Sequence, residues 1–165
     1  MKTFLLYLIG FSLGLAQSHP LVITSPSKNI SVTIDFTKEG EPLYSVLFNK
    51  RQVIAPSKMG FLLKNGSMKN FALTGTKERA NDDMWKPVWG EVAEIRDYYN
   101  EGIIMLEEST TRRPMNIVFR VFDDGIGFRY EFPSADSTSS TIEIAEELTQ
   151  FRLTQDLTAF WIPGD

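Results

Sequence analysis

Along much of this chain apolar and polar residues alternate with a period of two, the pattern of strands that bury one face. The clearest stretch is Asn116 to Pro133, N-I-V-F-R-V-F-D-D-G-I-G-F-R-Y-E-F-P. Ile117, Phe119 and Val121 share one face, Asp124-Gly125 supplies a tight turn, and Ile126, Phe128, Tyr130 and Phe132 resume the alternation. An antiparallel hairpin is predicted, with Arg120, Arg129 and Glu131 at the intervening positions, facing solvent or polar partners.

Ile30 to Phe36 alternates equally well and is turned by Lys38-Glu39-Gly40-Glu41-Pro42. Leu43 to Phe48 and Gln52 to Ile54 read as strands around Asn49-Lys50, Met59 to Leu63 as a short strand ended by Asn65-Gly66, and Phe71 to Thr76 as a weaker one. Lys77 to Lys86 is polar and aperiodic, so a loop is expected there, leading to a pair of tryptophans. Val92 to Tyr99 and Ile103 to Glu108 predict two strands separated by a turn at Asn100-Glu101-Gly102, and Ser134 to Ser140 a Ser/Asp-rich loop.

Ile142 to Leu153 fits two templates. Ile142, Ala145, Leu148 and Phe151 make a helical face, while Ile142 with Ile144 and Phe151 with Leu153 make two short strands broken near Glu146-Glu147. Periodicity leaves both open. No internal repeat or linker divides the chain, and many short strands with closely spaced turns point to two packed antiparallel sheets.

Composition narrows the chemistry. Lys2, the apolar run Phe4 to Leu15, and Gly14 and Ala16 ahead of Gln17 form a secretory leader, residues 1–16; the run is shorter than the ~20 residues of a spanning helix. The formal net charge is −4, which argues against a nucleic-acid partner. There is no cysteine, hence no disulfide, thiolate nucleophile or thiolate metal site. The single histidine, His19, lies beside the expected cleavage point, so triad and histidine-rich zinc chemistry have no residues to work with.

Several dispersed segments in one order are more specific. Ser25-Pro26, Tyr44-Ser45-Val46, Ser57 with Met59-Gly60, Trp85-Lys86-Pro87-Val88-Trp89-Gly90-Glu91, Tyr99-Asn100-Glu101 and the Asn116 to Pro133 hairpin together resemble the N-terminal domain of glycoside hydrolase family 97. The resemblance runs from about Ser25 to Pro163. It implies an all-β fold, an antiparallel β-sandwich that is part of a β-super-sandwich similar to galactose mutarotases. It therefore favours strands, with a bulge at the paired glutamates, for Ile142 to Leu153. It also implies an N-terminal domain over residues 17–165, incomplete at its C-terminus because the family's domain is longer, with Ala159 to Pro163 left as an unpartnered strand. The resemblance further implies that in the complete exported α-glucosidase or α-galactosidase, expected in the periplasm, the acid, the nucleophile or base, and most calcium-binding glutamates belong to a following (β/α)8 barrel, which would decide between retention and inversion.

No catalytic or metal residue is therefore assigned to this chain, and no cofactor beyond the calcium implied for the complete enzyme. The adjacent carboxylates Asp82-Asp83, Glu107-Glu108, Asp123-Asp124 and Glu146-Glu147 are weak candidates for glycosidase chemistry, because neighbours on a strand point to opposite faces and turn aspartates serve conformation. Trp85 and Trp89 could stack on pyranose rings, standing on one side if their segment is extended; packing in a core or against the barrel is the competing reading. Glu91 and Glu101 are candidate carbohydrate or interdomain contacts. The sequons at Asn29 and Asn65 are read as accidental. The alternative to a supporting domain is a stand-alone carbohydrate-binding sandwich with Trp85 and Trp89 as its platform.

Overall fold

The computed structural model describes residues 20–64, 66–67, 69–133, 141–156, 158 and 160. The leader 1–16, His19, the first residue of the Asn65-Gly66 turn, the Ser134 to Ser140 loop and all of Ala159 to Pro163 except Phe160 lie outside them.

Strands β1 (Leu21–Thr24), β2 (Ile30–Phe36), β3 (Pro42–Phe48) and β4 (Arg51–Lys58) pair in that order in one sheet. Two short strands, β5 (Phe61–Leu63) and β6 (Gly66–Ser67), form a small sheet with a later one. Then β7 (Phe71–Trp85), β8 (Ile95–Glu108), β9 (Pro114–Val121) and β10 (Ile126–Glu131) make the second large sheet, ordered β10-β9-β8-β7. Finally β11 (Ile144–Glu147) returns beside β5. Every described pairing is antiparallel, and no helix occurs among the described residues, so none is long and apolar enough to cross a membrane.

The core lies where the predicted alternation puts it. Val32 and Ile34 of β2, with Tyr44 and Val46 of β3, face Ile104 and Leu106 of β8 and Ile117, Phe119 and Val121 of β9, and all are buried. Each such aliphatic or aromatic side chain contributes roughly 1.5–3 kcal/mol on leaving water. Phe128 and Tyr130 of β10 flank the same core, Phe128 packing 5.5 Å from Phe119 and 5.9 Å from Tyr44, centroid to centroid. The Tyr44 hydroxyl donates to the Gln150 carbonyl at 2.8 Å, which ties the C-terminal segment to the middle of the first sheet.

Turn chemistry closes the ladders. Asn49 and Lys50 both have positive φ, 48° and 65°, between Phe48 and Arg51, which pair; this is a two-residue turn of the kind that matches strand twist. In the β9–β10 hairpin Val121 pairs with Ile126 and the Phe122 N–H donates to the Gly125 carbonyl at 2.8 Å. The tip is thus Asp123-Asp124, one residue earlier than expected, and Gly125 closes it. Asp123 also accepts from the Ser27 N–H and, through its carbonyl, from Asn29 Nδ2, each at 2.8 Å, so the two sheets are stitched at this end.

Three expectations are corrected. Lys77 to Lys86 is not a loop: β7 runs unbroken to Trp85, paired with β8 throughout except for a shift between Leu73 and Gly75. It lies at the edge of its sheet and is largely exposed on both faces, so hydrophobic periodicity had nothing to report. Asn100-Glu101-Gly102 is not a turn but the middle of β8, and each residue is explained by a neighbour. Asn100 Nδ2 donates to the Thr24 carbonyl, Glu101 meets arginines, and Gly102 lies under Ile23, whose Cγ1 would sit 2.6 Å from any added Cβ. The Gln52 to Ile54 strand extends from Arg51 to Lys58.

The ambiguity over Ile142 to Leu153 resolves as strand. Ile144 pairs with Leu63 and Glu146 with Leu62, so the register shifts between them as in a bulge, and Leu153 makes an isolated bridge to Ile54.

Candidate functional site

The four candidate residues divide between two places on β8 and its partner. Trp85 ends β7, paired with Ile95, and Trp89 sits in the loop from Lys86 to Glu94 that joins the two strands. The chain leaves the strand after Trp85 and bends at Val88 and Trp89, so the continuous extended segment that would align the two indoles is not formed. Trp89 is 88 % exposed, Trp85 is half exposed, and Glu91 is exposed beside them. Lys86 and Glu94 close the base of the loop at 3.3 Å.

Glu101 is six positions further along β8, roughly 20 Å away at strand rise. Its side chain has no solvent exposure. Register explains its surroundings: Arg79 of β7 and Arg120 of β9 lie opposite it on either side, and Arg129 of β10 reaches in diagonally. Arg120 Nε donates to Oε2 at 2.8 Å, and Arg129 Nη1 stands 3.8 Å from the same oxygen. Arg79 Nε is 2.7 Å from Oε1, but the approach is not aligned as a directed hydrogen bond, so that contact is chiefly Coulombic. Burial pushes the carboxyl upward, yet the Arg120 hydrogen bond and the positive charge of Arg79 beside it outweigh that and hold the group below the ordinary glutamate value. Arg120 also lies over the Tyr99 ring at 4.5 Å, and Arg129 pairs with Glu131 at 2.8 Å.

Three arginines thus hold this carboxylate in its charged form. It is poorly suited to donate a proton or attack a sugar. The residue was legible only as polar; what escaped sequence reading is that three arginines at matching strand positions surround it, a signal visible only once register is known.

Each adjacent carboxylate pair has at least one member committed to structure. Asp82 takes a forked pair of hydrogen bonds from Arg96 at 2.7 and 2.8 Å. Glu107 pairs with Arg112 at 2.9 Å, while the buried Glu108 binds the Thr111 hydroxyl and the backbone N–H groups of Thr110 and Thr111, which depress its pKa and fix the β8–β9 turn. Glu147 accepts from the Thr149 hydroxyl at 2.8 Å, and Asp123 from Ser27.

Two open clefts stand out among the described residues. One, of about 270 Å³, is walled by Met59, Phe61, Leu148 and the Lys58–Glu41 ion pair. The other, of about 350 Å³, runs between Thr24, Arg79 and Asn100 and includes Glu78 and Glu101. Glu78 pairs with Gly102 and Arg79 with Glu101, so these two carboxylates leave opposite faces of the sheet. Neither cleft therefore presents two carboxyl groups from one face to flank a sugar, the arrangement that glycoside hydrolysis uses. Among the described residues no three acidic or imidazole side chains are grouped to hold a metal ion.

The sequence profile of the Glycosyl-hydrolase 97 N-terminal family matches residues 23–165. The chain belongs to that family. It is 28 % identical over 160 residues to the retaining alpha-galactosidase of Bacteroides thetaiotaomicron, a match that covers 95 % of this chain and 22 % of that protein. Among solved structures it is similar to a glycoside hydrolase family 97 enzyme from Pseudoalteromonas sp. strain K8, seen in complexes with panose and with acarbose. The TM-score is 0.73 and the identity 31 %, over 81 % of this chain and 20 % of that one. A beta-arabinopyranosidase aligns with TM-score 0.72 and 26 % identity over 81 % of this chain and 21 % of its own. The family-97 chain thus spans about a fifth of the length of these relatives. Its all-strand, antiparallel fold is the family's N-terminal fold.

Proposed function

We propose that this chain is the exported, periplasmic, non-catalytic N-terminal sandwich of an α-glycosidase, an α-glucosidase or α-galactosidase, and that it supports a (β/α)8 catalytic barrel. The observation that carries this is the state of its acids. The carboxylates placed side by side are tied into ion pairs and turns, or leave opposite faces of a sheet, within a fold that makes up about a fifth of its relatives. In the complete enzyme the barrel supplies the acid and the nucleophile or base, and calcium bound there orients or polarises the linkage by carboxylate coordination. The named relatives, one a retaining alpha-galactosidase and one crystallised with panose, support an α-linked glucoside or galactoside as substrate class.

The purified chain tests this with nitrophenyl α-glucoside and α-galactoside. It should release no nitrophenol above buffer. Hydrolysis that co-purifies with the chain and is abolished by a single carboxylate substitution in it would overturn the proposal.

The exposed Trp89 favours a second reading, a carbohydrate-binding module. Saturable binding of panose by the chain, lost in Trp89→Ala with the fold intact, would put that reading first.

A further inference from the structure

We propose that the β7–β8 hairpin is a docking arm, and that its tip is the surface by which this chain seats on the remainder of a family-97 polypeptide. The inference rests on the supporting-domain reading and adds where the support is made.

Register shows the arm. β9 pairs with β8 only from Asn100 to Glu107, whereas β7 stays paired with β8 out to Trp85 and Ile95. The five pairs from Asn81–Tyr99 to Trp85–Ile95 are therefore a two-stranded ribbon projecting past the sheet by roughly 17 Å at strand rise. Such a ribbon is marginal by itself in water. This one is braced by polar bonds: the Arg96–Asp82 fork, Asn81 Nδ2 donating to the Asp97 carbonyl at 2.6 Å, and the Lys86–Glu94 pair.

Its tip is apolar in the wrong place for a free surface. Met84, Trp85, Val88, Trp89, Val92 and Ile95 are all exposed, Val88 at 98 %. Met84 leaves the face opposite Trp85, but two indoles with Val88, Val92 and Ile95 at one hairpin end still make an apolar surface of the kind that marks interaction sites.

Charge and length select the occupant. Between Asp82 and Asp97 there are five acidic residues and two basic ones, so two copies meeting tip to tip would repel. A sugar platform needs several fixed polar groups beside its aromatic face, and here Asp82 is paired with Arg96 and Lys86 with Glu94, which leaves Glu91 as the acid beside the tryptophans. What remains is a protein surface with apolar recesses and a basic rim. In the relatives about four-fifths of the polypeptide lies outside the region matched by this chain, which is where such a surface would be found.

The test is hydrogen exchange by mass spectrometry on this chain alone and on the same chain fused into the Bacteroides alpha-galactosidase in place of that enzyme's matching segment. Amides from Met84 to Ile95 should exchange at open-loop rates alone and at least roughly tenfold more slowly in the fusion. Trp89→Ala should abolish that protection in the fusion and leave exchange in the rest of the isolated chain unchanged. Protection elsewhere on the chain with a freely exchanging arm would overturn the docking surface and leave the supporting-domain reading standing. Absence of any new protection would overturn both. Arm protection of the isolated chain that appears with panose, or with rising protein concentration, would assign the tip to sugar or to a second copy and overturn the proposal.

Discussion

Glu101 Oε2 accepts a hydrogen bond from Arg120 Nε at 2.8 Å although the glutamate side chain is wholly shut off from solvent. The arginines provide the shutter: Arg79, Arg120 and Arg129 come from three strands and cover the carboxylate while their own outer edges stay wet. Glu101 therefore locks the register of four strands.

Glu101→Gln keeps the volume, removes the charge and presents an amide N–H2 to guanidinium donors. The expected loss of stability is about 1–3 kcal/mol, less than for a fully buried pair because the arginines can rehydrate. Urea unfolding of the two proteins gives the difference directly.

The same pair sets an acid limit. Glu101 is held below the ordinary value of 4.5 in the folded chain, so its contribution is complete above that pH and is lost as pH falls through the lower folded value. The stability gap between the native chain and Glu101→Gln should stay constant above about pH 4.5 and narrow below it. Glu108 and Asp123 are depressed too, with the same sign, so both proteins still weaken in acid. Denaturant midpoints measured across the acid range show whether the gap closes.

Gly102 is a packing requirement. An added Cβ would meet Ile23 Cγ1 at 2.6 Å, and Ile23 is itself buried in the core. Gly102→Ala should cost about 1–3 kcal/mol. The cost should be smaller in an Ile23→Val background, where the terminal methyl is gone, and a double-mutant cycle measures that coupling.

Lys50 holds a positive φ of 65° in the turn after β3, a conformation that disfavours a side chain. Lys50→Gly should raise stability by about 0.5–1 kcal/mol, the relief of the left-handed conformation being partly offset by the freer unfolded chain. A higher midpoint in thermal unfolding is the expected result.

How much of this was written in the sequence varies with the source of each residue's environment. The Ile117, Phe119, Val121 face and the β2 alternation were legible because burial on one face imposes period two. β7 was half missed because an exposed edge strand is fixed by backbone pairing and ion pairs, which leave no hydrophobic period. Asn100-Glu101-Gly102 looked like a turn for a related reason: each residue answers a partner distant in sequence, Thr24, the arginines and Ile23. Trp85 and Trp89 were legible as residues of interest, but their exposure depends on how far β7 and β8 outrun β9, a relationship no local pattern encodes.

The most direct test of the supporting-domain reading is the DNA downstream of the Asp165 codon, read in all frames. A barrel of the family-97 type, in frame or frameshifted, is the predicted result. Unrelated sequence beyond a secure stop would contradict it and leave a sandwich that acts without a barrel of its own.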